Sequence, residues 1–372
     1  MEHAFVTGST GLYGTSLVTR LLSEGVRVTA LVRADDDESA RDRLIALLHR
    51  QSQIEGANLP SDLTDRLTVF SGEITDDGCL DRIVDHLTGS VDTIWHCAAC
   101  VNFIDEPQCV AVNIEGTRNM IAMARRIRPT VFHHVSTAYV AGGHDGIIHE
   151  DVMPPRSCNN AYESTKYDAE LFVRSQQDVP FVIHRPSIIV GSRRNGRIRD
   201  FKNFYLFIRF FARGARVGYN LPLRFPGTGD LGLNLVPLDW CIDAAWEISR
   251  RYEVGKTYHV VNADPPSLRR VLASMNRVLN TTCIEFAGDG APLGDEEREA
   301  ETRFREFLPY MFASPRFDLT NIRAIAPDLS PSTLDDDALD RIVEHYVEHG
   351  LKKRSQSGAE SDSDARAPQA HV

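Results

Sequence analysis

The chain has 372 residues, 42% of them hydrophobic and 25% charged, enough apolar material for one large core or two joined ones and too much for a mainly disordered chain. With 41 basic against 52 acidic residues the net charge is -11, which disfavours a globally basic nucleic-acid binder and fits an acidic soluble enzyme. The seven cysteines are an odd number without regular spacing, as expected of a reduced, intracellular protein, and with neither a visible leader nor an apolar run of about 18 residues the expected location is the cytoplasm, without a membrane span.

In chain order, residues 4–7 read as a strand, 11–24 as a helix, 27–32 as a strand and 41–50 as a helix. Further strands are predicted at 67–71, 93–96, 131–136 and 181–185, with helices between them. Strand-helix alternation of this kind predicts an α/β fold, a Rossmann-type doubly wound parallel sheet, over residues 1–190. From about Gly191 the composition turns to loops rich in Arg, Gly and Pro, with a short helix at 203–213 and a strand at 257–262. This predicts a smaller C-terminal substrate-binding lobe over 191–351, part of 234–262 returning to the first domain, and a disordered tail at 352–372.

Directly after the first strand stands Thr7-Gly8-Ser9-Thr10-Gly11-Leu12-Tyr13-Gly14, followed by a helical pattern. Glycines between a first strand and a first helix let the backbone approach a pyrophosphate, whose charge then sits at the helix N-terminus. The second strand ends in Arg33 rather than an acid, and Arg43 follows within two helix turns. An Arg there accommodates the 2′-phosphate of NADPH, whereas an acid binds the ribose hydroxyl of NADH. The expected cofactor is NADPH, with NADH kept open by Asp35, Asp36 and Asp37.

Tyr162 and Lys166 lie four apart, on one face of a predicted helix. From 10 Tyr and five Lys, about 0.13 such pairs are expected by chance. A phenol that trades protons near neutrality needs a neighbouring ammonium to stabilise its phenolate. The strand at 131–136 ends in Ser136-Thr137-Ala138-Tyr139, and either Ser136 or Thr137 is placed to donate to a carbonyl oxygen. Cys97 and Cys100 form a CxxC without a second half; they read as buried thiols, and no metal site is expected.

The glycine loop, Thr137/Tyr162/Lys166, Asn113-Ile114-Glu115-Gly116-Thr117 and Arg185-Pro186-Ser187 together resemble the extended short-chain dehydrogenase/reductase superfamily. His96-Cys97-Ala98-Ala99, Val101-Asn102-Phe103, His134 to Val140 and Asn234 to Asp239 are similar to its branch of thioester reductase domains, carboxylic acid reductase termini and fatty acyl-CoA reductases. The resemblance spans about residues 3–325. It implies that Thr137 binds the carbonyl, Tyr162 donates the proton, and Lys166 binds the nicotinamide ribose and lowers the Tyr pKa. It also implies a cofactor held by the loop from Thr7 to Gly14, with Arg33, Arg43, Glu73, Ile74, Ala98, Ala99, Asn113, Pro186, Ser187 and Ile188 around it. Two departures stand out: Ser9-Thr10 and Leu12-Tyr13 replace the commoner Ala-Thr and Phe-Leu, and Glu73 replaces an Asp.

The implied activity is NADPH-dependent reduction of an acyl thioester to an aldehyde or alcohol. No adjoining carrier domain is recognised, so the acyl group is expected on free CoA or on a separate acyl or peptidyl carrier protein. Arg193, Arg194, Arg197, Arg199, Lys202, Arg209, Arg213, Arg216 and Arg224, with Asp200 the only acid among them, suit phosphate groups or an acidic carrier surface. The interleaved Phe201, Phe204, Tyr205, Phe207, Phe210 and Phe211 read either as an acyl tunnel or as the apolar face of a core helix. Two other readings use the same residues: a nucleotide-sugar epimerase, dehydratase or hydroxysteroid-type dehydrogenase, and a non-catalytic dinucleotide sensor. Oligomeric state is not legible.

Overall fold

The computed structural model describes residues 1–216, 223–225, 227–282, 284–288 and 315–351, and between these 292, 294, 295, 297, 298, 302, 305 and 307–313. The tail expected at 352–372 lies outside the described residues.

The short apolar runs become β1 (His3–Thr7), β2 (Arg27–Val32), β3 (Leu67–Ser71), β4 (Thr93–His96), β5 (Val131–Val135), β6 (Phe181–Pro186) and β7 (Thr257–Val260). They form one sheet in the order β3-β2-β1-β4-β5-β6-β7, every neighbouring pair parallel. Strands covered on both faces lose the polar-apolar alternation, which is why they read as continuous apolar runs. Helices α1 (Leu12–Ser23) and α2 (Asp37–Glu55) pack on one face through Leu17, Leu21, Leu44 and Leu48. Helices α3 (Asp77–Leu87) and α4 (Gly116–Ile127) cover the other through Leu80, Ile83, Met120 and Ile121. The strand order reverses between β1 and β4, which opens a crevice at their carboxyl ends.

Helix α2 starts four residues earlier than its periodicity predicts and runs five residues further. The Asp36 side chain accepts from Ser39 N at 2.7 Å and caps the new start, and Gly56, in a left-handed conformation, ends it. Helix α5 (Ala161–Arg174), capped by Asn160, carries Tyr162 and Lys166.

Beyond β6 the chain builds a second core from α6 (Phe204–Arg216), α8 (Leu268–Leu279) and α9 (Asp336–His345), in which Tyr205, Ile208, Leu272, Met275, Leu339 and Ile342 meet. The sequence reading underestimates this lobe, since it finds only the first of these helices. Between them, α7 (Leu238–Arg251) returns to the sheet and packs with α1, buried through Cys241, Ala244 and Ile248. Strand β7 then takes the sheet edge beside β6.

Candidate active site

The glycine loop fills the crevice where the strand order reverses. Gly8 has φ +68°, and a side chain there would stand 2.5 Å from Ala98 N; one at Gly14 would stand 2.2 Å from Gly8 O. Backbone alone therefore occupies the approach to α1, whose N-cap, Gly11, offers no side-chain acceptor to the first turn. Those N–H groups are left for an anion. Thr15 Oγ1 donates to Ser9 O and Gly11 O at 2.7 and 2.8 Å, and Arg199, from the second lobe, donates to Thr15 Oγ1 and Thr10 O at 2.9 Å each. Arg199 thus braces the loop instead of offering a free charge.

One cavity of about 750 Å³ runs from Arg33 and Arg43, past this loop, to Tyr162 and on to Phe307 and Tyr310. Every catalytic or cofactor-binding residue proposed from the sequence lines it except Ser9 and Asn113. Ser9 is buried behind the loop, its hydroxyl 3.4 Å from Leu31 O. Asn113 lies in a π-helical turn (Val110–Glu115) and works from behind the wall: its amide accepts from Cys100 N at 2.8 Å and donates to Cys100 O and Thr165 Oγ1 at 3.0 and 2.9 Å. Within the cavity wall the hydroxyl of Ser187 is buried without a hydrogen-bond partner among the described residues, a polar atom that a bound dinucleotide would satisfy.

At the far end of β2, Arg33 is exposed on the cavity rim and its carbonyl accepts from Arg43 Nη1 at 2.7 Å. Two of the three acids that left NADH open are engaged elsewhere: Asp36 caps α2, and Asp37 accepts from Ser71 N and Oγ at 2.7 and 2.8 Å and pairs with Arg82 at 3.0 Å.

At the other end, burial pushes the Tyr162 phenol up to about 12, an effect the neighbouring Thr137 side chain opposes; Thr137 Oγ1 itself accepts from Tyr139 N at 3.2 Å and donates to Pro186 O at 3.5 Å. Lys166 Nζ donates to Val135 O at 2.7 Å, and burial brings the ammonium down to about 8 against the pull of Glu170. The lysine is thus committed to a backbone carbonyl, and the side chain that acts on the phenol is Thr137 rather than Lys166. Of the two hydroxyls that follow β5, that of Ser136 is engaged away from the phenol, donating to Glu170 at 2.6 Å.

Glu170 escaped the sequence reading. It is fully buried with Arg185, 2.6 Å from Nη2, and is joined by Arg174 at 2.9 Å. Burial alone would raise its pKa; Arg185, Arg174 and Ser136 outweigh that and bring it to about 2. Its signal was spacing, since 162, 166 and 170 fall on one helix face.

Two other expectations change. Cys97 and Cys100 are half-buried and line the cavity, Cys97 also packing against the core. The basic stretch is also less positive than its local count, because distant acids reach it: Arg193 and Arg194 lie 3.6 and 3.9 Å from Asp239, and Arg224 lies 2.7 Å from Glu297. Lys202 does line the cavity, while the side chains of Arg213 and Arg216 lie outside the described residues. The aromatic run divides: Tyr205 and Phe211 are core, and Phe204 and Phe207 are core residues that also reach the cavity.

Facing Tyr162 is an aromatic wall that periodicity did not reveal. Phe103 lies 6.3 Å from Tyr162, 5.9 Å from Phe307 and 6.1 Å from Tyr310 between ring centroids, and Tyr139 meets Tyr310 edge-on at 4.8 Å. The Tyr310 hydroxyl donates to Glu163 at 2.5 Å and accepts from Asn160 at 2.8 Å, fastening the second lobe to α5 beside Tyr162.

A glycine cradle at the reversal of a seven-stranded parallel sheet, opening into a cavity that ends at a Tyr/Lys helix, defines an NAD(P)H-dependent oxidoreductase of the extended short-chain dehydrogenase/reductase type. The chain belongs to the NAD-binding family described as male sterility protein, whose model matches residues 6–245. It is 28% identical over 292 residues to a nonribosomal peptide synthetase, asaC, of Aspergillus flavus, covering 73% of this chain and 27% of that protein. It is 26% identical over 298 residues to the fatty acyl-CoA reductase wat of Drosophila melanogaster, covering 69% of this chain and 56% of that protein. The chain therefore spans only about a quarter to about half of these relatives' lengths. The fold matches the terminal R domain from the myxalamid PKS-NRPS biosynthetic pathway with a TM-score of 0.75 at 24% identity, over 95% of this chain and 92% of that one. Among the described residues no helix is long and apolar enough to cross a membrane.

Proposed function

We propose that the protein is an NADPH-dependent reductase of acyl thioesters, with the acyl group carried on CoA or on the phosphopantetheine thiol of a separate carrier protein. The observation that carries the reading is the neighbouring Thr137 and Tyr162 side chains, set where the cofactor cavity meets an aromatic wall. The names of the relatives, a fatty acyl-CoA reductase and a nonribosomal peptide synthetase among them, support the same chemistry.

In this reading the bound nicotinamide supplies the hydride. Thr137 and Tyr162 donate hydrogen bonds to the thioester oxygen, and these strengthen as negative charge develops on it. Tyr162 gives that oxygen its proton, leaving a hemithioacetal; breaking its C–S bond releases thiol and aldehyde. A second reduction of the aldehyde, using the same two donors, yields an alcohol. Lys166, fixed by Val135 O, places a positive charge at the inner wall of the cavity. Asn113 holds the Cys100 backbone and Thr165, and Glu170 holds Ser136, so both act by positioning. Selection of NADPH rests on Arg33 and Arg43, with Asp36 and Asp37 already bonded within the protein.

The test is NADPH and NADH oxidation with a panel of acyl-CoAs while released thiol is titrated. Thiol release coupled to NADPH consumption is expected, and the ratio of the two gives aldehyde or alcohol. Silence on every thioester, with turnover of a nucleotide sugar, overturns the reading.

A further inference from the structure

The cysteine partnership suggested by the CxxC spacing is not the one the fold makes. Cys100, at the cavity wall, meets Cys109, nine residues on: the two sulfurs are 3.4 Å apart. Cys109 is fully buried at the end of the short helix Glu106–Cys109, where its thiol also contacts Asn102 O at 3.1 Å. Cys100 is half-buried and open to the cavity. A disulfide needs about 2.05 Å between sulfurs, so the bond asks for a closure of little more than an ångström.

We propose that Cys100 and Cys109 are a peroxide-sensitive dithiol whose oxidation to a disulfide shuts the reductase down. The accessible sulfur, Cys100, attacks a hydroperoxide; the O–O bond breaks, one oxygen leaves as water and Cys100 becomes a sulfenic acid. The Cys109 sulfur then forms the S–S bond and expels the second oxygen as water. Two thiols lose two electrons and two protons, and the peroxide gains both. Burial and the neighbouring Cys100 thiol push Cys109 up to about 11, which keeps it protonated at neutral pH and leaves the first step to Cys100.

The consequence follows from what each cysteine is tied to. Both backbone groups of Cys100 are bonded to the Asn113 amide, which also holds Thr165, the neighbour of Lys166. Cys109 immediately precedes the π-helical turn that carries Asn113. Drawing the sulfurs together shifts that amide and the Lys166 end of the cavity. A displacement of this size at a reacting centre costs at least about ten-fold in rate.

The formation of the bond is independent of the proposed reaction; its effect on turnover rests on that reading. The experiment treats the full-length reduced protein with hydrogen peroxide, blocks free thiols, and maps peptides after cleavage at Asp105, which separates the two cysteines. A Cys100–Cys109 linked pair, removed by dithiothreitol and absent from Cys100→Ser and Cys109→Ser but present in Cys97→Ser, is expected. Acyl-CoA reduction should fall at least about ten-fold in step with the linked fraction and return on reduction. Oxidation that links other cysteines, that stops at unlinked sulfinic acid, or that leaves a linked enzyme at full rate overturns the proposal. An untreated enzyme inactive on all thioesters sinks the reaction instead, and the peptide map still decides the disulfide.

Discussion

Ser136 and Glu170 are joined by a buried 2.6 Å hydrogen bond, while the next hydroxyl along the chain, Thr137, stands beside the Tyr162 phenol. The two neighbours should separate cleanly on substitution. Thr137→Ala is expected to lower kcat by about 10²–10³-fold with melting temperature little changed. Ser136→Ala should lower the melting temperature more than it lowers kcat. Steady-state kinetics and thermal unfolding of both variants check this, and the reverse pattern would assign the donor role to Ser136.

Tyr162→Phe keeps the ring and removes the proton. Turnover is expected to drop by about 10²–10⁴-fold while NADPH binding, followed by fluorescence, is retained. A non-catalytic sensor would keep its function in this variant.

Lys166 ionises near 8 in the free protein because it is buried. An ammonium that attracts the cofactor is present below that value and lost above it. NADPH affinity should therefore weaken as pH rises through about 8, and Lys166→Met should bind weakly with no such dependence. Fluorescence titrations between pH 6 and 10 would show a flat profile if the lysine played no part.

Arg33→Ala and Arg43→Ala test the choice of cofactor. Losing one charge-assisted contact to a phosphate is worth about 1.5–3 kcal/mol, so each should raise KM for NADPH by about ten-fold or more and leave KM for NADH nearly unchanged. Equal effects on both cofactors would remove the arginines from the 2′-phosphate site.

Glu170 ionises at about 2 in the fold against an ordinary value of 4.5. Its depressed pKa stabilises the fold fully above about 4.5, and that contribution fades as pH falls from there toward 2. Glu170→Gln leaves Arg185 buried without its charge partner, which costs about 3–5 kcal/mol at neutral pH. Unfolding curves from pH 7 to 3 should show the wild type losing stability in that acid window and the variant starting lower but changing less.

The sheet was legible because parallel strands are apolar on both faces, and the glycine loop because its spacing has one backbone explanation. Tyr162 and Lys166 were legible because lysine is scarce in this chain. Glu170 was missed because a buried carboxylate looks like a surface one until Arg185 arrives from another strand. The Cys100–Cys109 meeting and the Tyr310–Glu163 bond depend on contacts made by a short helix turn and by a residue 147 positions away, and no periodicity carries either. The charge of the basic stretch is overcounted for the same reason, since Asp239 and Glu297 lie beyond any local window.

Tyr310 gives the molecule a compatibility rule. The segment that walls off the end of the cavity beside Tyr162 is attached to the residue directly after it, through Glu163. Lobes exchanged between relatives to change acyl preference must therefore travel with a matching pair at 163 and 310. A graft that brings a new wall without its anchor would carry the intended lining yet hold it in the wrong place.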